Sequence, residues 1–257
     1  MVKARINGVE GRFQLDTGAG TLVLTQQFAQ RLPGLQKQDG QFTGFRATGD
    51  RLDLPLYTAR TLAVGGLVVS QLPLSVYAGE LGGVDGLISL MAFRQQPFTL
   101  DYAHHVLVLE TPASLAQRRQ TGRAVALQLH DVYGRSLDMA AYCRISEKLT
   151  LLVELDSGSP TGQYWFNAAF APQLGVDTTQ LGPANRTVFP SQLVAQHQNV
   201  LYHTKLAKIT PVAQPEIALT NVPVGLMTEL IYDGIMPLNW LGSCLTIDLP
   251  HRVLLAQ

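Results

Sequence analysis

Short apolar runs separated by polar turns fill this chain, and no long helical periodicity develops. Val2 to Leu15 alternates loosely around an Asn7-Gly8 turn, which predicts a hairpin whose second strand runs into Asp16. Thr21 to Leu24 resumes an apolar strand. Thr25 to Leu32 then predicts a short helix, with Thr25 as cap, Phe28 and Leu32 on one face, and Pro33-Gly34 as its stop. Gln38 to Arg60 carries glycines at 40, 44 and 49 and aromatics at 42, 45 and 57, the pattern of a long, mobile hairpin. Gly65-Gly66 joins two further strand-like runs. Gly82 to Phe93 is a glycine turn followed by a short apolar element, and Phe98 to Leu109 predicts a closing hairpin. Thr111 to Arg123 is polar, holds a proline and the pair Arg118-Arg119, and is expected to be a solvated linker.

After strands expected from Ala124 to Ile145, the earlier order returns. Leu151 to Asp156 repeats the run into Asp16, and Tyr164-Trp165-Phe166 stands where the post-turn strand stood. Asn167 to Leu174 resembles the short helix, with Asn167 as cap and Pro172 shortening it. Asn185 to Lys208 takes the place of the glycine-rich hairpin. Ile231 to Leu241 and then Leu245 to Leu255 repeat the two closing elements. Asp156 lies 140 residues after Asp16, Asp233 148 after Asp85, and Asp248 147 after Asp101. Three landmarks in one order at nearly one period mark two copies of a β-rich unit, the second longer by about eight residues in its hairpin region. The expected fold is all-β with a few short helices, in two related lobes about a pseudo-two-fold axis with a cleft between them. Residues 1–115 form the first lobe, 116–123 the linker and 124–257 the second.

Composition narrows the function without naming it. The 257 residues are 46% hydrophobic and 15% charged, with 19 basic and 19 acidic side chains, so a nucleic-acid partner gains no support. No apolar run approaches a membrane span. Cys143 and Cys244 allow one disulfide or two buried thiols, and their spacing is no zinc pattern. His104-His105 matches His251-Arg252 in the repeat, which favours an exposed turn over a metal site. His197 and His203 sit in the second hairpin region, where pH sensing is conceivable but nothing supports it, and His130 has no visible partner. No nucleophile elbow surrounds Ser157 or Ser159, and Gly18-Ala19-Gly20 fits no phosphate loop. Neither a cofactor nor a metal is called for.

The chemistry therefore rests on Leu15-Asp16-Thr17-Gly18-Ala19 and Leu155-Asp156-Ser157-Gly158-Ser159. Either triplet alone is an ordinary turn. Together, at equivalent positions of a repeat, they can meet at the axis as two carboxyls sharing one proton. Such a pair can take a proton from water, which attacks a carbonyl, while the protonated partner supports the oxyanion. Gly18 and Gly158 let amides approach the acids, and Thr17 and Ser157 can bridge the loops.

These residues, with Asp85-Gly86-Leu87-Ile88, Asp233-Gly234-Ile235-Met236, Thr99-Leu100-Asp101 and Thr246-Ile247-Asp248, resemble the retropepsin-like and pepsin-like aspartic proteases, as two retropepsin-type units fused in tandem. The resemblance implies an endopeptidase acting on extended peptide or protein substrates, with Asp16 and Asp156 catalytic and Thr17, Gly18, Ala19, Ser157, Gly158 and Ser159 supporting them. It also implies flaps near residues 40–50 and 188–200, with Phe42, Gly44, Phe45 and Phe189 as substrate-binding candidates, in a monomer that is an internal pseudo-dimer. Two departures stand out. Ser89 and Pro237 replace the family's second glycine, and Pro237 puts the geometry beneath Asp156 in question. Strands before the second acid also have little counterpart before the first, which suggests that the chain begins after a removed leader or within a longer precursor. That leader and the low lysine content lean toward an exported, periplasmic or secreted protein in a bacterium. The rival reading is a catalytically silent peptide-binding module that keeps the cleft. A glycosidase using the same acids fits less well, because its two carboxyls need wider spacing and unequal environments.

Overall fold

A computed structural model of the chain describes residues 1–190 and 198–257. The first lobe is a seven-stranded sheet of β1 (Val2–Ile6), β2 (Val9–Leu15), β3 (Leu22–Thr25), β4 (Gln36–Phe45), β5 (Arg51–Val64), β6 (Leu67–Tyr77) and β7 (Gly86–Ile88), ordered β1-β2-β7-β3-β6-β5-β4. After it come β8 (Phe98–Asp101) and β9 (Val106–Leu109), helix α2 (Pro112–Thr121), and β10 (Arg123–Ala126). The second lobe is an eight-stranded sheet of β11 (Gln128–Val132), β12 (Ser136–Arg144), β13 (Thr150–Asp156), β14 (Trp165–Asn167), β15 (Arg186–Pro190), β16 (Gln198–Pro211), β17 (Leu219–Met227) and β18 (Gly234–Pro237). Its order is β11-β12-β13-β18-β14-β17-β16-β15. The closing hairpin is β19 (Cys244–Asp248) and β20 (Val253–Ala256).

The two sheets share one wiring. β2 runs parallel to β7, and β3 lies antiparallel to β7 and parallel to β6. β13, β18, β14 and β17 stand in the same relations. β1 pairs with both β2 and β5, as β12 pairs with both β13 and β16. Thus β12 does have a first-lobe counterpart in β1, contrary to the sequence expectation. Beyond its length, only β10 and β11 among the strands leading to the second acid lack one. The strand itself was expected as the first arm of the Val2–Leu15 hairpin, but its equivalence to β12 lies in the pairing with β5 and β16, which alternation does not encode.

Local chemistry explains the elements. Gly11, Phe13 and Leu15 alternate inward along β2, as the two-residue period of a strand requires. Phe13 meets Phe28 edge to face at 5.3 Å between ring centres. Helix α1 (Gln26–Ala29) is shorter than predicted, and the Thr25 hydroxyl accepts the Phe28 N–H at its start. Asn167 caps the first of two 3₁₀ turns in the same way, and Pro172 opens the second. The expected linker is helical. Thr111 and Ser114 form a reciprocal capping box and Pro112 occupies the first turn, signals outweighed at the sequence level by the absence of an apolar stripe. Cys143 is buried, Cys244 is half-buried, and no disulfide joins them.

A third sheet, ordered β10-β20-β19-β8-β9, belongs to both lobes. At its centre β8 of the first lobe pairs antiparallel with β19 of the second, and Thr99 faces Thr246 with their hydroxyls 2.7 Å apart. Thr99 also donates to Glu110, whose carboxylate lies 3.3 Å from Arg118 Nε. Arg119 pairs with the fully buried carboxylate of Asp248. The basic pair is therefore more than solvated surface, since it fastens α2 to the shared sheet. One large core joins the first lobe to this sheet, and a second core fills the second lobe around Val153, Phe166, Leu226 and Met236. Among the described residues no helix is long and apolar enough to cross a membrane.

Candidate active site

Each acid ends a central strand held by a parallel neighbour. The Asp16 amide donates to the Ile88 carbonyl at 2.9 Å. Asp156 stands opposite Pro237 in the β13–β18 ladder. Pro237 therefore continues β18 instead of breaking it, with φ of −61°, a value its ring favours. Ser89 does different work, since its hydroxyl accepts the Met91 N–H and caps the following 3₁₀ turn. Asp85 and Asp233 accept backbone N–H groups from the adjacent strands, from Arg12 at 2.8 Å and from Leu152 at 3.3 Å. Asp101 and Asp248 hold their turns through His104 and His251.

The two loops cross-link symmetrically. Thr17 Oγ1 donates to the Leu155 carbonyl at 2.7 Å and accepts the Ser157 N–H at 2.9 Å. Ser157 Oγ donates to the Leu15 carbonyl at 3.0 Å and accepts the Thr17 N–H at 3.1 Å. Inside this lattice a side-chain hydrogen bond joins the Asp16 and Asp156 carboxyls. A β-carbon on Gly18 would stand 2.7 Å from Asp156 Cγ, and one on Gly158 would stand 2.7 Å from Asp16 Oδ1. Only glycine leaves room for the carboxyl from the other lobe. Asp16 Oδ1 accepts the N–H groups of Gly18 and Ala19, both at 3.1 Å. Asp156 accepts the Gly158 N–H and the Ser159 hydroxyl, both at 2.6 Å.

Burial, then the Asp156 charge, then the hydrogen bond that protonated Asp16 donates to Asp156 push Asp16 up to about 7, against the lowering effect of the Gly18 and Ala19 amides. Tyr102 is raised to about 12 by burial and by the Asp156 charge. Among the described residues, no group of three or more His, Cys, Asp or Glu side chains could hold a metal.

The hairpin of β4 and β5 turns through Arg46–Asp50 and reaches the second lobe. Ile231 N–H donates to Ala47 O at 3.1 Å, and Asn199 Nδ2 to Thr48 O at 3.3 Å. Gly49, at φ of +84°, lies against the Glu229 carbonyl. Ala47 packs with Tyr232 and Trp165 on a small cluster of Leu201, Met227, Leu230 and Ile235. Of the substrate-binding candidates, Phe42 and Gly44 share one face of β4, while Phe45, 54% exposed, occupies the other. Phe189 stands opposite Asn199 in the second hairpin and is exposed. His203 bonds to Thr187 at 2.7 Å. His197 and the turn of that hairpin lie outside the described residues. Sequence reasoning missed Glu154, Asp138, Tyr232 and Asn199 around the site. For Glu154 the available signal was a lone charge inside the apolar run Leu151 to Leu155.

Residues 2–92 match the aspartyl protease family. Among solved structures, the retropepsin-like aspartic protease from Rickettsia conorii is similar at 14% identity with a TM-score of 0.35, over 52% of this chain and 96% of that one. No curated protein matches the sequence. Residues 2–92 are thus similar to an aspartyl protease unit, and the second lobe repeats the first lobe's strand order around a second Asp-(Thr/Ser)-Gly loop.

Proposed function

We propose that the protein is an aspartic endopeptidase that cleaves extended polypeptides with the Asp16/Asp156 pair. The observation that carries this reading is the hydrogen-bonded meeting of the two carboxyls inside the Thr17/Ser157 lattice. Asp16, with its raised affinity for a proton, is the protonated member. Asp156, stabilised as an anion by Gly158 N–H and Ser159 Oγ, is the base. Asp156 takes one proton from a water whose oxygen attacks the scissile carbonyl carbon. Asp16 gives its proton to the carbonyl oxygen, forming a neutral gem-diol and leaving one proton on the pair. Collapse re-forms the carbonyl, breaks the C–N bond and sends a proton to the leaving amine. The hairpin tip at Ala47–Gly49, anchored on the other lobe, supports a flap that covers the bound peptide.

Because Asp16 must carry a proton, activity is expected to fall about tenfold per pH unit above about 7. Incubation with a peptide library across pH 3–7 tests the reading. Wild type is expected to cleave, and Asp16→Asn or Asp156→Asn to lose on the order of 10²–10⁴-fold in rate. A wild type that cleaves nothing over this range and fails to bind a statine peptide rules out the protease. Binding without cleavage favours the silent peptide-binding module instead.

A further inference from the structure

Glu154 is a buried acid that the chemistry above leaves unused. It precedes Asp156 by two residues on β13, so the two side chains share a face of the strand. It is 4% exposed, the Met139 amide donates to it, and its Oε1 has no hydrogen-bond partner among the described residues. The charges acting on it come from acids: Asp138 on β12, Asp156 on its own strand and Asp16 from the first-lobe loop. The Tyr232 phenol, just before β18, feels the same four carboxyls. His130 on β11 sits behind Asp138 with Nδ1 3.9 Å from its Oδ2 and is largely exposed.

The first lobe has Gln14 at the equivalent place, two residues before Asp16, with Nε2 donating to the Gly158 carbonyl at 3.5 Å. Equivalent positions of the two lobes thus carry an amide under one acid and an ionisable group under the other. A buried carboxyl with an orphan oxygen and acid neighbours holds its proton tightly, and burial, then Asp138, then Asp156 all act in that direction. Asp138, raised to about 6 chiefly by burial, belongs to the same system. Sites this close exchange protons as one unit.

We propose that Glu154 is a positioning residue of the pair: a third carboxyl sharing its proton pool, whose developing charge keeps the last proton on Asp16/Asp156 to higher pH. The consequence for rate rests on the aspartic protease reading; the proton sharing does not. Glu154→Gln copies the Gln14 side chain and removes the ionisable group. Carboxyl ¹³C NMR of the full chain, labelled at Asp and Glu, follows the pair without any substrate. In the variant the upper apparent pKa of the pair is expected to fall by about one unit. The alkaline limb of the kcat/KM profile should move down with it. An unmoved pair in folded Glu154→Gln overturns the inference. If that variant does not fold, the wild type decides. The Glu154 resonance must then titrate over the range in which the pair loses its last proton, and a Glu154 still protonated beyond that range overturns the inference. A shifted pair in a protein that cleaves no peptide sinks the protease reading alone, and cleavage with an unshifted pair sinks this inference alone.

Discussion

At the scale of single residues, Asp16 stores a cost. Its folded-state pKa, about 7, lies above the ordinary carboxyl value of 3.8. For a raised acid the favourable contribution is complete below the unfolded value and disappears as pH climbs toward the folded one. Asp16→Asn should therefore match the wild type in stability near pH 3 and exceed it at pH 7, as denaturant melts at the two pH values would show. On the proposed function, the same side chain costs activity when changed and stability when kept. Thr17 has no such conflict, being fully buried and bonded to both Leu155 and Ser157. Thr17→Ala should destabilise by about 1–3 kcal/mol and reduce turnover, while Thr17→Ser restores most of both. The acids and their hydroxyl neighbours were legible in the sequence, because two short motifs at one spacing announce each other. Glu154 was not, since its meaning comes from burial and from acids on other strands.

The elements tell a similar story. Strands β1 to β7 and their turns follow from alternation and from Asn-Gly and Gly-Gly pairs, and the backbone at Asn7-Gly8 has the positive φ values, 48° and 84°, that such a turn needs. Helix α2 was hidden because it buries no residue and so shows no apolar stripe. The hairpin tip was hidden for another reason. Ala47, Thr48 and Gly49 look like any turn, and their partners at 199, 229 and 231 lie some 150 to 180 residues away. That docking is testable. Asn199 is 1% exposed and spends its amide on the Thr48 carbonyl. Asn199→Ala should release the tip, seen as faster amide hydrogen exchange at residues 46–50 with the exchange of β2 and β13 unchanged. Where peptides are cleaved, KM should rise more than kcat falls.

For the molecule as a whole, the shared sheet is what holds two lobes in one register. At its centre the Thr99 hydroxyl serves two partners, Thr246 and Glu110, whereas Thr246 serves one. Thr99→Val should therefore cost more than Thr246→Val, roughly 2–3 against 1 kcal/mol, because it leaves the buried Thr246 hydroxyl without its partner and leaves Glu110 Oε1 with Arg118 alone, whereas in Thr246→Val the Thr99 hydroxyl keeps Glu110. Thermal melts of the two variants and their double would show this order. The tandem repeat made the two-lobe arrangement readable from three aspartate spacings, but which strands of one lobe pair with the other is a matter of three-dimensional closure that periodicity does not encode.

The pairing of β8 with β19 also sets a timetable. Strand β19 ends 147 residues after β8 does. A first lobe that folds as it leaves the ribosome must wait on the order of ten seconds for that partner. Throughout the wait one edge of β8, with its backbone donors and acceptors and the side chains of Phe98 and Leu100, has no strand beside it. Nascent chains crowded on one message are thus most prone to pair with each other at this edge, before the second lobe arrives to cover it.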